Sequence, residues 1–129
     1  MKTLDDFHDG FLDGLLIQDA TAHLFLSTGN KQEFVLKVSE VLSLKLDGFR
    51  QGNIIYDVLI RNADELTLQD IMYFYEFKDG AKAAKKLEEL RETELVVLEV
   101  NPSYGAQCLI LARSVDVSQR ESRSGTKMG

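Results

Sequence analysis

Pro102 is the only proline in this 129-residue chain, and two apolar, β-rich runs flank it. Leu95 to Val100 comes before it, and Ala106 to Val117 comes after. Between them, Asn101-Pro102-Ser103-Tyr104-Gly105 combines a residue of fixed φ with one that tolerates positive φ. The pattern predicts strand, tight turn, strand. It commits the C-terminal third of the chain to a hairpin.

Upstream of the hairpin, polar and apolar residues alternate with a period of two. Phe11 to Gln18 reads as a strand after the turn-like His8-Asp9-Gly10. Thr21 to Thr28 places Ala22, Leu24 and Leu26 on one face, with His23, Phe25 and Ser27 on the other. Gly29-Asn30-Lys31 is a hairpin signal. Glu33 to Val38 then puts Phe34, Leu36 and Val38 together. Val41 to Leu46 does the same for Leu42, Leu44 and Leu46. After a turn at Gln51-Gly52-Asn53, Ile54 to Arg61 groups Ile54, Tyr56, Val58 and Ile60 against Ile55, Asp57, Leu59 and Arg61. Such short, repeated alternation predicts an antiparallel meander. Both faces are partly apolar, so the sheet is expected to be curled or covered on one side.

The middle of the chain changes to helical spacing. Thr67-Leu68-Gln69-Asp70 reads as a capping box opening a helix over Leu68 to Tyr75. Asp79 caps a second helix over Gly80 to Arg91, with Ala81, Ala84, Leu87 and Leu90 as the expected buried stripe. Its lysines sit near the N-terminus and its glutamates near the C-terminus, against the helix dipole. Tertiary packing must therefore hold it. The expected architecture is α+β: a mostly antiparallel, curled sheet of about seven strands, with two helices inserted before the C-terminal hairpin. It forms a single domain over residues 1–117, and a disordered basic tail over 118–129.

The formal charge is −6. The tail has three basic residues to one acidic, +2, which leaves −8 on the body. An acidic body repels phosphate backbones and argues against a nucleic-acid partner; it suits a basic protein. The single cysteine, Cys108, lies in an apolar run and reads as a buried small side chain. No internal disulfide can form, which fits a reducing compartment. The N-terminus turns acidic where a signal peptide would be apolar, and no apolar run approaches bilayer length. The expected localisation is cytoplasmic, away from any membrane.

Candidate chemistry is sparse. No nucleophile elbow, phosphate-binding loop, zinc spacing or dinucleotide fingerprint occurs. His8, Asp9 and Asp13, in an acidic N-terminal run, form the best candidate metal or acid–base cluster; a turn that satisfies its own loop amides explains the same residues. Asp57 and Glu99 lie on separate expected strands and could face each other as a carboxylate pair, which solvated strand faces also explain. Tyr73, Phe74, Tyr75 and Glu76 are the best partner-binding candidates. Three consecutive rings cannot all face one core, and aromatics beside an acid suit a protein anchor. Core packing with a hydroxyl at the rim is the alternative.

His8-Asp9-Gly10 ahead of a strand, the Gly52-to-Asp57 strand, Leu66-Thr67-Leu68-Gln69-Asp70-Ile71, and Glu99-Val100-Asn101-Pro102-Ser103-Tyr104-Gly105 ahead of a last strand together resemble small bacterial immunity proteins of polymorphic or contact-dependent toxin systems. The resemblance reaches to Val117. It implies a stoichiometric, non-enzymatic inhibitor that binds a cognate toxin, with no cofactor and no catalytic residues to carry over. The basic tail is not part of it. The expected state is a monomer or weak homodimer. The other readings are a metal-binding protein or metal-dependent enzyme built on His8, Asp9 and Asp13, and a structural subunit that pairs through a sheet edge.

Overall fold

The computed structural model describes residues 1–120. Seven strands and two helices follow the chain: β1 (Lys2–Thr3), β2 (Phe11–Gln18), β3 (Thr21–Ser27), β4 (Glu33–Asp47), β5 (Asn53–Asn62), α1 (Leu68–Tyr75), α2 (Gly80–Arg91), β6 (Val96–Tyr104) and β7 (Gln107–Gln119). Single 3-10 turns occupy Asp5–Phe7 and Ala63–Glu65. All pairings are antiparallel, in the order β1-β5-β2-β3-β4-β7-β6, and β5 also pairs with β6. The expected mostly antiparallel α+β sheet is present, and its curl runs on until the pairings close into a ring.

The ring is made of two half-sheets that share a long β4–β7 ribbon. The first half of β4 pairs with β3 and with the C-terminal half of β7; its second half pairs with the N-terminal half of β7, which also carries β6. Glu40, at φ 52°, and a bulge between Val41 and Ser43 mark the crossing. The other join is short: Phe11 and Leu12 of β2 meet Ile54 and Asn53 of β5. The interior between the half-sheets is filled by Leu12, Leu24, Leu26, Leu36, Val38, Ile55, Val58, Leu98, Val100 and Ile110, with Phe7 closing one side. A second core lies outside the ring, where α1 and α2 cover Val97, Leu109 and Leu111 with Ile71, Phe74, Ala83 and Leu90.

Several expectations are corrected by irregularities in the ladders. The two strands expected at Glu33–Val38 and Val41–Leu46 are one 15-residue strand, β4. Its bulge turns Leu42 out of the face shared by Leu44 and Leu46, so Leu42 is exposed. Strand β1 was not expected, because two exposed residues show no periodicity. In β5, register shifts on both sides of Ile55 turn Ile55 into the core and Tyr56 out to solvent. The same irregularity admits Pro102 into β6, opposite Ile55, so the expected turn at Asn101–Gly105 shrinks to Gly105 and Ala106. A bulge tolerates the missing N–H of proline where a regular ladder would not.

Both helices span the expected residues. Thr67 Oγ1 accepts the Asp70 backbone N–H at 3.2 Å, and Asp70 Oδ2 accepts the Thr67 N–H at 2.8 Å. Asp79 Oδ1 accepts from Ala81 N at 2.9 Å. The buried stripe of α2 differs from expectation: Ala83, Leu87 and Leu90 face inward, while Ala81 and Ala84 are exposed. Both stripes have helical spacing and share the two leucines. Docking on α1 and on the turn at Ala63–Glu65 selects the one containing Ala83. The expected tail boundary moves as well, because Ser118 and Gln119 belong to β7 and pair with Val35 and Phe34. Residues 121–129 lie outside the described residues.

Candidate functional site

The outer face of the second half-sheet is only partly covered by the helices. Alternation along the strands, anchored by Leu109 and Leu111 in the second core, directs three rows of side chains outward. Ser43, Leu111, Val97 and Arg61 form the first; Lys45, Leu109, Glu99 and Leu59 the second; Asp47, Gln107, Asn101 and Asp57 the third. The helices seal the apolar middle of the first two rows. The third row is entirely polar and lies beyond their edge.

These polar groups form one hydrogen-bonded chain. Tyr73 Oη, on α1, donates to Asp47 Oδ2 at 2.6 Å, and Gln107 Oε1 stands 3.0 Å from the same hydroxyl. Gln107 Nε2 donates to Asn101 Oδ1 at 3.0 Å. Asn101 Nδ2 donates to Asp57 Oδ1 at 2.8 Å and to Glu99 Oε2 at 3.0 Å. Glu99 continues to Arg61 through an ion pair, and Arg61 donates to Asp70 Oδ2 at 3.0 Å. At the other end Lys45 pairs with Glu76 at 2.9 Å, and its ammonium lies 4.7 Å from the centre of the Tyr73 ring. A shallow cleft of about 290 Å³ opens along this chain, lined by Gln69, Asp70, Tyr73, Glu99, Gln107 and Leu109.

The electrostatics follow from these contacts. Burial raises the Asp70 pKa, but the Arg61 hydrogen bond and the bonds from Thr67 outweigh it, so the carboxyl titrates below its ordinary value. Burial pulls Arg61 down, and hydrogen bonds and charges from Asp70 and Glu99 more than reverse that. Burial, and then Asp47, push the Tyr73 phenol up to about 12. The cleft therefore presents in Asp70 a carboxylate that stays ionised, and in Tyr73 a phenol that keeps its proton. Of five acidic side chains, Asp47, Asp70, Glu76 and Glu99 share two basic ones, Lys45 and Arg61, and Asp57 is held by the Asn101 amide.

Of the expected partner-binding residues, the fold separates the members. Phe74 is buried in the second core, which corrects its placement on a binding surface. Tyr75 is half-buried, stacked between Phe74 and Phe77, with its hydroxyl 3.1 Å from Ser43 Oγ. Tyr73 and Glu76 remain at the surface, Glu76 in a left-handed conformation that ends α1. The expected metal cluster is not assembled. His8 Nδ1 donates to the Tyr56 carbonyl at 2.6 Å, His8 Nε2 is 3.6 Å from Asp9, and Asp13 lies apart beside Phe11, Lys31 and Glu33. Among the described residues, no group of three or more His, Cys, Asp or Glu side chains is gathered as a metal ion requires.

Asp57 and Glu99, the pair raised by the sequence, do meet, with the Asn101 amide between them. Asp47, Asp70, Arg61, Asn101 and Gln107 were not singled out. They come from four strands and a helix, and only the Asp57–Arg61 spacing on one strand hinted at a shared face. Cys108 is buried, and burial raises its thiol pKa to about 12, consistent with a packing role. Among the described residues, no helix is long and apolar enough to cross a membrane. No family model matches the chain, and no curated protein or solved structure matches it either.

Proposed function

We propose that this chain is a non-enzymatic protein-binding module of the immunity type, which grips a basic partner, a cognate toxin, on the acidic cleft beside α1. The observation that carries this reading is the hydrogen-bonded row from Asp47 to Asp70. Its carboxylates are oriented by fixed donors and outnumber the cations within reach. Such a surface accepts guanidinium or ammonium groups without reorganising, which favours both encounter rate and specificity. A lowered Asp70 pKa suits a permanent acceptor rather than a proton donor. Tyr73, half-exposed with its hydroxyl fixed, supplies a rigid aromatic surface among the charges. The acidic body and the resemblance of the sequence to immunity proteins point the same way.

The test uses the protein encoded beside this chain's gene. Co-expression is expected to protect cells from that neighbour's toxicity, and titration calorimetry to give a one-to-one complex that weakens as salt rises. Asp57→Lys is expected to weaken it by about tenfold or more, whereas Glu88→Lys on the exposed side of α2 leaves affinity near the wild-type value. Absence of binding and of protection would sink the proposal. Equal effects of the two substitutions would place the interface elsewhere.

A further inference from the structure

Strand β7 outruns its neighbour. Strand β6 pairs with it only from Cys108 to Ala112, while β4 follows it on the other side as far as Gln119. From Arg113 to Gln119, no described residue pairs with the second edge. Arg120 N donates to Glu33 O at 2.8 Å, in register with the β4–β7 ladder. Alternation then assigns the backbone groups of Ser118, Asp116 and Ser114 to β4 and turns those of Val115, Val117 and Gln119 toward the open edge. Val117 shares the inner face with Leu36, its partner on β4, yet is 43% exposed. An open edge of this length is a template for another strand.

We infer that this edge pairs with the same edge of a second copy, antiparallel and two-fold symmetric about Val117. In that register Val117 opposes Val117 of the other copy, and Val115 opposes Gln119, so every edge-directed N–H and C=O of the three residues finds a partner. On the outer face Asp116 opposes Ser118, with Arg120 of the other copy on one diagonal and Asp116 of the other copy on the second, while Arg120 opposes Ser114. Hydroxyl meets carboxylate, and the diagonal Arg120 offsets the diagonal Asp116. Centring the axis on Asp116 instead sets Asp116 against its own copy, which like-charge repulsion disfavours. An isologous contact needs this self-complementarity. The inference is independent of the proposed toxin-binding role, because the cleft lies on the other half-sheet.

The test is sedimentation equilibrium of the full chain across concentration. Reversible dimerisation is expected. Val117→Pro is expected to weaken it by about tenfold or more, because this N–H is directed away from β4 and its loss spares the intramolecular ladder. Should that variant fail to fold, Val117→Cys replaces it: mild oxidation is expected to link two copies through position 117 readily, and a Val35→Cys control on the inner β4 strand not to. A chain that sediments as a monomer at all concentrations overturns the inference, whether its own tail or nothing covers the edge. Dimers unaffected by Val117→Pro, or no faster cross-linking through position 117 than through 35, overturn it too.

Discussion

Asn53 is 2% exposed and uses every hydrogen-bonding position of its side-chain amide. Its Oδ1 accepts from Arg50 N at 2.7 Å and Ala106 N at 3.0 Å; its Nδ2 donates to Arg50 O at 2.6 Å and Leu12 O at 3.2 Å. These bonds tie the turn before β5, the start of β2 and the β6–β7 turn to one side chain. Gly105, at φ 92°, is required beside it, because a Cβ there would overlap Asn53 Oδ1. Asn53→Ala leaves Ala106 N, Arg50 N and two carbonyls without their partner. It is expected to destabilise by about 2–4 kcal/mol, read as a lower urea midpoint. The sequence marks Gly52-Asn53 as a turn, but a turn residue and a buried keystone look alike in one dimension. The difference lies in contacts made 41 and 53 positions away.

Among the elements, β4 shows how a local exception shapes a long strand. Its 15 residues cross from one half-sheet to the other at Glu40, whose φ of 52° is unfavourable for an L-residue. The bulge at Val41–Ser43 then resets which side faces inward. Two strands with a gap at Ser39-Glu40 were expected because the charged Glu40 interrupts the run of apolar even-numbered positions there. That interruption marks a bend rather than a break. Glu40→Val raises β propensity and is nevertheless expected to destabilise by about 1–2 kcal/mol, since a β-branched side chain opposes positive φ. Glu40→Gly is expected to be neutral or slightly stabilising. Thermal melts of the pair settle the sign. The helices are the opposite case: Thr67, Asp70 and Asp79 announce their starts, and the caps form as the residue types dictate.

For the whole molecule, the polar row couples stability to pH. Asp70 titrates lower folded than unfolded, so at acid pH the unfolded chain binds more protons. The contribution is present above the unfolded carboxyl value of about 4 and is lost as pH falls through the folded one. The melting temperature is therefore expected to drop below pH about 4, and Asp70→Asn to flatten that fall. Tyr73 works at the other end. Its phenol is held to about 12 in the fold, so stability is expected to decline from pH about 10 upward, a decline that Tyr73→Phe removes.

The sequence by itself determined the class of local structure almost everywhere: alternation makes strands, caps start helices, and Gly-Asn pairs make turns. These signals act over a few residues, where backbone sterics and side-chain periodicity are decisive. Tertiary structure alone decided which face of α2 is buried, where the bulges fall and how the curled sheet closes on itself. It also decided that Phe74 packs inside while Tyr73 reaches Asp47. Each of those outcomes depends on volumes and polar groups brought together from distant segments, and a chain read one residue at a time holds no record of which segments will meet.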